Sequence, residues 1–348
     1  MIAFISPMAR VALTLLIGAA GGAIFAYAGL PAAWLAGSMI AVTTAVLMGY
    51  QAVLYDPARI AVFIILGIQI GTSISQETVQ RVASWPASLT ILTVTVVAVT
   101  WSGYEFFRRG CGWDRQTALF SSVPGALSLT LLLADDARSD MPRVTIVQCI
   151  RLFFLVAVLP GLISMIDVED GRAAAIASAP GNFQDAAILV AAGTAGGLIV
   201  EKLKVPAGLI LGALVASAAV KLGGLVSGAL TNLLLFPAYV VLGTMIGARF
   251  QSFDRRLIGR LLLAGVIGFV IAMIVAFAGA VTASEVSGIP LALTLVAFAP
   301  GGLEAMTIMA FALNLDPAYV GAMQIARYVG ISVFLPIAAK WFERLWRG

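Results

Sequence analysis

Of 348 residues, 61% are hydrophobic and 11% charged, and mean hydropathy is +1.03 with a formal net charge of +4. So few charged side chains cannot cover a water-facing surface around a core of this size. The composition therefore excludes a soluble enzyme or nucleic-acid module and predicts a polytopic membrane protein.

Twelve apolar segments follow one another along the chain. The first six span roughly residues 10–29, 31–50, 57–75, 84–107, 116–133 and 142–166. The next six span roughly 186–200, 206–222, 233–250, 257–281, 289–313 and 317–344. At about 1.5 Å per residue most are long enough to cross about 30 Å of hydrocarbon. Arg10 ahead of an apolar run resembles a secretory signal. Because the same pattern recurs in the interior of the chain, the segment is read as a retained first span. Only Leu30 separates the first two segments, which predicts a tight helical hairpin broken at Pro31. Segments five and eleven differ from the rest. Pro124 and Gly125, with Ser121, Ser122, Ser128 and Thr130 around them, interrupt the first, and Pro300, Gly301, Gly302 and Glu304 interrupt the second. Broken backbone at membrane depth is tolerated only where protein or a wet cavity satisfies it, so both segments are expected to be discontinuous or re-entrant and to face inward.

The chain is also written twice. Gly18, Gly21, Gly22, Pro31, Ala32 and Gly37 recur 175 residues later as Gly193, Gly196, Gly197, Pro206, Ala207 and Gly212. After one inserted residue, Gly67, Gly71, Pro124, Gly125, Asp140, Gln148 and Arg151 recur as Gly243, Gly247, Pro300, Gly301, Asp316, Gln324 and Arg327. A duplication in an apolar chain is the pattern of many secondary transporters, whose sites lie where the repeats meet. The boundaries read as a first repeat over 1–166, a periplasmic linker over 167–185 and a second repeat over 186–348.

Charge placement orients the repeats. If all twelve segments cross, the nineteen Lys and Arg outside them divide ten to nine across the membrane. If segments five and eleven re-enter, sixteen fall on one side and only Arg81, Arg172 and Lys221 on the other, which is the positive-inside pattern. That arrangement has ten crossings and both termini cytoplasmic. Five crossings per repeat is odd, so the second repeat enters the membrane inverted. The expected fold is thus all-α and polytopic, with two inverted-topology repeats of about five transmembrane helices plus one broken or re-entrant segment each.

Arg151 and Arg327 lie eight or nine residues inside the last segment of each repeat, and Gln148 and Gln324 share their helix faces. A guanidinium at that depth costs about 2.5–3.5 kcal/mol on insertion scales, so it needs a reason. One reading makes the arginines forks for a carboxylate or phosphate. The other makes them staples for carbonyls freed at the breaks. The breaks themselves read either as helix restarts whose N–H groups favour anions or as kinks for close packing. The candidate substrate-binding set is Arg151, Arg327, Gln148, Gln324, Pro124, Gly125, Ser128, Pro300, Gly301 and Gly302. Glu304 stands where repeat one has Ser128, and reads either as a proton or Na⁺ coupling group or as an ion-pair partner of an arginine. Asp140 and Asp316 read as helix N-caps. No catalytic constellation, Walker loop or dinucleotide fingerprint appears. His is absent and Cys111 and Cys149 form no CxxC pair, so neither a metal site nor a cofactor is expected beyond the coupling ion.

Val123-Pro124-Gly125-Ala126-Leu127 and Ala299-Pro300-Gly301-Gly302-Leu303-Glu304, each followed by an Asp and then by Gln-x-x-Arg, resemble the bacterial AbrB duplication family of membrane proteins. So does the Gly-x-x-Gly-Gly then Pro-Ala hairpin, and the resemblance covers nearly the whole chain. Its members are labelled regulators of gene expression or ammonia monooxygenases. A monooxygenase needs a redox metal that a chain without His is poorly equipped to hold. A DNA-binding regulator needs a soluble segment that the spans leave no room for. The combined expectation is a secondary transporter of a small organic anion, not an enzyme, coupled to H⁺ or Na⁺ in the bacterial inner membrane. Its partners would be the lipid bilayer and the anion, with no nucleic acid, and a homodimer is compatible with it. The alternative is a membrane-embedded regulator or sensor acting through a metabolite or partner.

Overall fold

The protein was analysed as a computed structural model, which describes residues 7–74, 85–125, 127–165, 181–204 and 207–346, although of Pro7 and of some residues inside helices, Ser128, Glu304 and 334–346 among them, only the backbone is described. The described residues are helical with no strand. In chain order the first half carries α1 (Pro7–Tyr27), α2 (Ala33–Leu47), α3 (Asp56–Ser73), α4 (Trp85–Glu105), α5 (Arg115–Ser122), α6 (Leu127–Asp136) and α7 (Met141–Met165). The second half carries α8 (Phe183–Lys202), α9 (Gly208–Leu222), α10 (Asn232–Ala248), α11 (Arg255–Ser287), α12 (Leu291–Phe298), α13 (Leu303–Ala312) and α14 (Pro317–Trp346). A π turn, Phe106–Gly110, extends α4, and a 3₁₀ turn, Arg249–Ser252, extends α10. Both segments expected to be broken are broken: five becomes α5 and α6, eleven becomes α12 and α13. α8 starts earlier than the linker boundary at residue 185, because Asn182 caps it by accepting from Asp185 N at 2.7 Å. Residues 166–180, 205–206 and 347–348 lie outside the described residues.

Among the described residues, six helical stretches are long and apolar enough to cross a bilayer: Met8–Tyr27, Trp85–Gly110, Met141–Met165, Phe183–Lys202, Asn232–Ser252 and Arg255–Ser287. The chain is therefore a multi-pass membrane protein. Ala33–Leu47 and Gly208–Leu222 are apolar but shorter.

The duplication is written in the backbone as well. The described residues with positive φ are Gly29, Ala32, Gly49, Gly112 and Arg138 in the first half and Lys204, Ala207, Gly224, Gly288 and Asn314 in the second. Each member of the first set lies 175 or 176 residues before its counterpart. A left-handed conformation is costly for Ala, Arg or Lys. Its return at repeat-related places means that the same turns are imposed by the same surroundings.

The helices form two compact units, each drawn from both halves of the chain. One comprises residues 1–83, 156–252 and 307–318, and the other 84–155, 253–306 and 319–348. In the first, the α1–α2 hairpin closes where Gly21 meets Gly37, and the α8–α9 hairpin closes where Gly196 meets Gly212. The third helix of each repeat then packs on the hairpin of the other. A Cβ at Gly67 on α3 would lie 2.5 Å from Ile210 O and 2.7 Å from Ala213 Cβ on α9, and one at Gly243 on α10 would overlap Leu35 O and Ser38 Oγ on α2. Between apolar helices in lipid, association rests on close packing rather than on water exclusion, so small residues at these crossings carry the contact.

Gly243→Ala is expected to lower thermal stability by about 1–3 kcal/mol, because its Cβ meets backbone that cannot move aside. Gly259→Ala, on exposed helix with open space around it, is expected to be neutral or stabilising by up to about 1 kcal/mol. Thermal unfolding of the two purified variants in detergent checks the contrast; equal losses would remove the packing argument.

Candidate functional site: two broken helices stapled by buried arginines

Proline has no N–H and forces the residue before it into an extended conformation. Val123 (φ −61°, ψ 123°) and Ala299 (φ −53°, ψ 137°) accordingly leave the helical region and end α5 and α12 after eight residues each. The ends are alike in detail, with Val123 N donating to Leu119 O at 3.2 Å and Ala299 N to Leu295 O at 3.0 Å. Beyond them, carbonyls that a continuous helix would use are left without helical donors.

The Gln–Arg pairs supply the donors. On α7, Gln148 Nε2 donates to Phe120 O at 2.8 Å and to Val123 O at 3.2 Å, and Arg151 Nη1 donates to Val123 O at 3.1 Å. Arg151 Nη2 donates to Gln148 Oε1, holding the two side chains as one plate. On α14, Gln324 Nε2 donates to Ala297 O at 3.1 Å and Arg327 Nη1 to Ala299 O at 2.6 Å. Arg327 Nη2 donates to Gly301 O and to Gln324 Oε1. All four side chains are at least 93% buried, Arg151 being the most accessible at 7%. A cation at the C-terminal end of a half-helix also complements its dipole. The bonds seen are thus those of a staple, and they show why Gln and Arg must be three residues apart.

The two breaks also cross over. A Cβ at Gly125 would lie 3.3 Å from Ile331 Cγ2, four residues past Arg327 on α14. One at Gly301 would lie 2.5 Å from Leu155 Cδ2, four residues past Arg151 on α7. Each break is therefore stapled by the last helix of its own repeat and packed against the last helix of the other. Both guanidinium groups are thus buried in the same compact unit. Ion pairs join Arg109 to Glu105 and Arg143 to Asp140, neither of them at the breaks, and the side chain of Glu304 lies outside what is described.

The remaining candidates fall around this centre. Pro124, Gly125, Pro300, Gly301 and Gly302 form the breaks, and Ser128 and Glu304 each occupy the second position of the helix that follows. Their side chains lie outside what is described. Asp140 Oδ1 accepts from Arg143 N at 3.1 Å and Asp316 Oδ1 from Ala318 N at 2.8 Å, as expected of caps. Sequence reasoning did not single out the acceptor carbonyls of Phe120, Val123, Ala297 and Ala299, nor the contacts of Leu155 and Ile331. Only the spacing of one turn beyond each arginine hinted at the latter.

The family described as "Transition state regulatory protein AbrB" matches residues 34–343, and the chain belongs to it. Relatives include the protein YhjN of Bacillus subtilis (strain 168), 27% identical over 345 residues, covering 92% of this chain and 90% of the relative. Another is the protein of Escherichia coli (strain K12) named "Putative regulator AbrB", 27% identical over 320 residues, covering 90% and 91%.

Gln324→Leu is expected to leave Ala297 O and part of Arg327 unsatisfied and to cost about 1–3 kcal/mol of stability. Thermal unfolding checks it, and an unchanged transition would mean that Gln324 carries no such role.

Proposed function

We propose that the protein is a secondary transporter of a small organic anion, coupled to H⁺ or Na⁺, in the bacterial inner membrane. The observation that carries the proposal is the pair of repeat-related broken helices, each packed on the last helix of the other repeat, with two buried guanidinium groups beside them. Two like charges held together out of water favour an anionic ligand, and discontinuous helices form substrate sites in many secondary transporters. In this reading the repeats, 1–166 and 186–348 around a periplasmic linker at 167–185, are inverted with respect to each other. Ten spans leave both termini cytoplasmic. Arg151, Arg327, Gln148 and Gln324 shape the site with the backbone at Pro124, Gly125, Pro300, Gly301 and Gly302 and the hydroxyl of Ser128. Glu304 takes up or releases the coupling ion. The protein performs no covalent chemistry and needs no cofactor besides that ion. The printed name of the E. coli relative supports a second reading, a membrane-embedded regulator that senses a metabolite and passes the signal to a partner.

Flux separates the two. Proteoliposomes are expected to accumulate labelled small carboxylates in response to a proton or Na⁺ gradient, whereas a sensor would bind without accumulation. For the topology, Arg115→Cys and Arg256→Cys in a background lacking Cys111 and Cys149 are both expected to react from the cytoplasmic side with impermeant maleimide. Labelling from opposite sides would refute the inversion.

A further inference from the structure

The two breaks are alike in backbone and unlike in chemistry. Among the described residues, Ser121 Oγ, Thr130 Oγ1 and Arg151 Nε are buried polar atoms with no hydrogen-bond partner. Ser121 is 2% exposed, Thr130 0% and Arg151 7%. All three border the first break: Ser121 lies in the last turn of α5, Thr130 stands in the first turn of α6, and Arg151 staples Val123 between them. Their counterparts at the second break are Ala297, Met306 and Arg327. The first two carry no hydroxyl, and Arg327, like Arg151, has both terminal nitrogens bonded, here to Ala299 O, Gly301 O and Gln324 Oε1. The space differs in the same sense. A Cβ at Gly125 would face Thr130 Oγ1 at 3.0 Å, whereas one at Gly301 would face Met306 Cγ and Cε at 2.7 Å.

One orphaned buried group is an ordinary cost of a fold; three around one break, and none at the hydroxyl-free counterparts Ala297 and Met306, call for an occupant. Arg Nε–H is a donor only, and each hydroxyl can donate one proton. Three donors beside two buried positive charges match the lone pairs of an oxyanion, bound by charge-assisted hydrogen bonds. We infer that the first break is the anion-binding half of the centre, with Arg151 Nε, Ser121 Oγ and Thr130 Oγ1 as the donors for the oxyanion group, and that the second break with Arg327 is its structural counterpart. This deepens the anion-binding part of the proposed function and does not depend on whether binding leads to flux.

The test uses the full-length protein in detergent, with thermal unfolding and affinity measured against sodium acetate and sodium sulfate, and sodium chloride at matched ionic strength as the control. Acetate is expected to stabilise the protein beyond chloride. Thr130→Val and Ser121→Ala, each close in volume to the native residue, are each expected to weaken acetate binding about tenfold or more. Thr294→Val, at a buried hydroxyl already donating to Leu291 O, is expected to leave binding unchanged. Stabilisation by sulfate alone, lost in the same two variants, would support the site with an inorganic oxyanion as its ligand. No stabilisation by either anion, or stabilisation that survives both Thr130→Val and Ser121→Ala, would overturn the assignment. Binding that follows this pattern without flux in proteoliposomes would leave the site standing and refute transport.

Discussion

A proline in the middle of an apolar segment sets the terms for the rest of this protein. Pro124 and Pro300 end their helices and leave carbonyls such as Phe120 O, Val123 O, Ala297 O and Ala299 O to be satisfied inside the protein. In hydrocarbon no water is at hand, so donors must come from neighbouring helices. A planar guanidinium braced by an amide meets that demand compactly, since one plate reaches several acceptors at once. The buried arginines, the three-residue Gln–Arg spacing and the crossing of each break onto the opposite terminal helix are all consequences of that demand.

The same device also creates an electrostatic problem. Stapling twice puts two positive charges into one compact unit among apolar side chains. Carbonyl dipoles at the half-helix ends compensate part of this. In the proposed anion-binding reading, residual positive potential would connect the staples to the ligand, and the hydroxyls of Ser121 and Thr130 would favour one break over the other.

Duplication divides the labour differently in the two units. In the unit built from α1, α2, α3, α8, α9 and α10, the halves exchange third helices across glycine-lined crossings, and both copies keep the small residues. Around the breaks the copies keep the staple but have diverged in the lining: Thr130 against Met306, Ser121 against Ala297, Ser128 against Glu304. Packing constrains both copies equally, whereas a ligand can be held by one.

Membrane class, the duplication, the positions of nearly all helices and the two interruptions were legible in the sequence. Each rests on local signals: hydropathy over a span, proline without an N–H, or a glycine returning in register. The Gln–Arg pairs were legible as well, because a buried guanidinium is too costly to be incidental. What they bond was not, since the sequence left staple and anion fork open and a carbonyl acceptor has no residue type to mark it. Only the tertiary structure decided that both arginines spend their terminal nitrogens on the breaks and their glutamines, and that Arg151 Nε is left buried without a partner beside two unpaired hydroxyls. It also decided that each break packs one turn beyond the opposite arginine. Such facts depend on which atoms come together across 26 to 28 residues of chain in the staples and across more than a hundred where each break meets the opposite helix, a proximity that no spacing rule encodes.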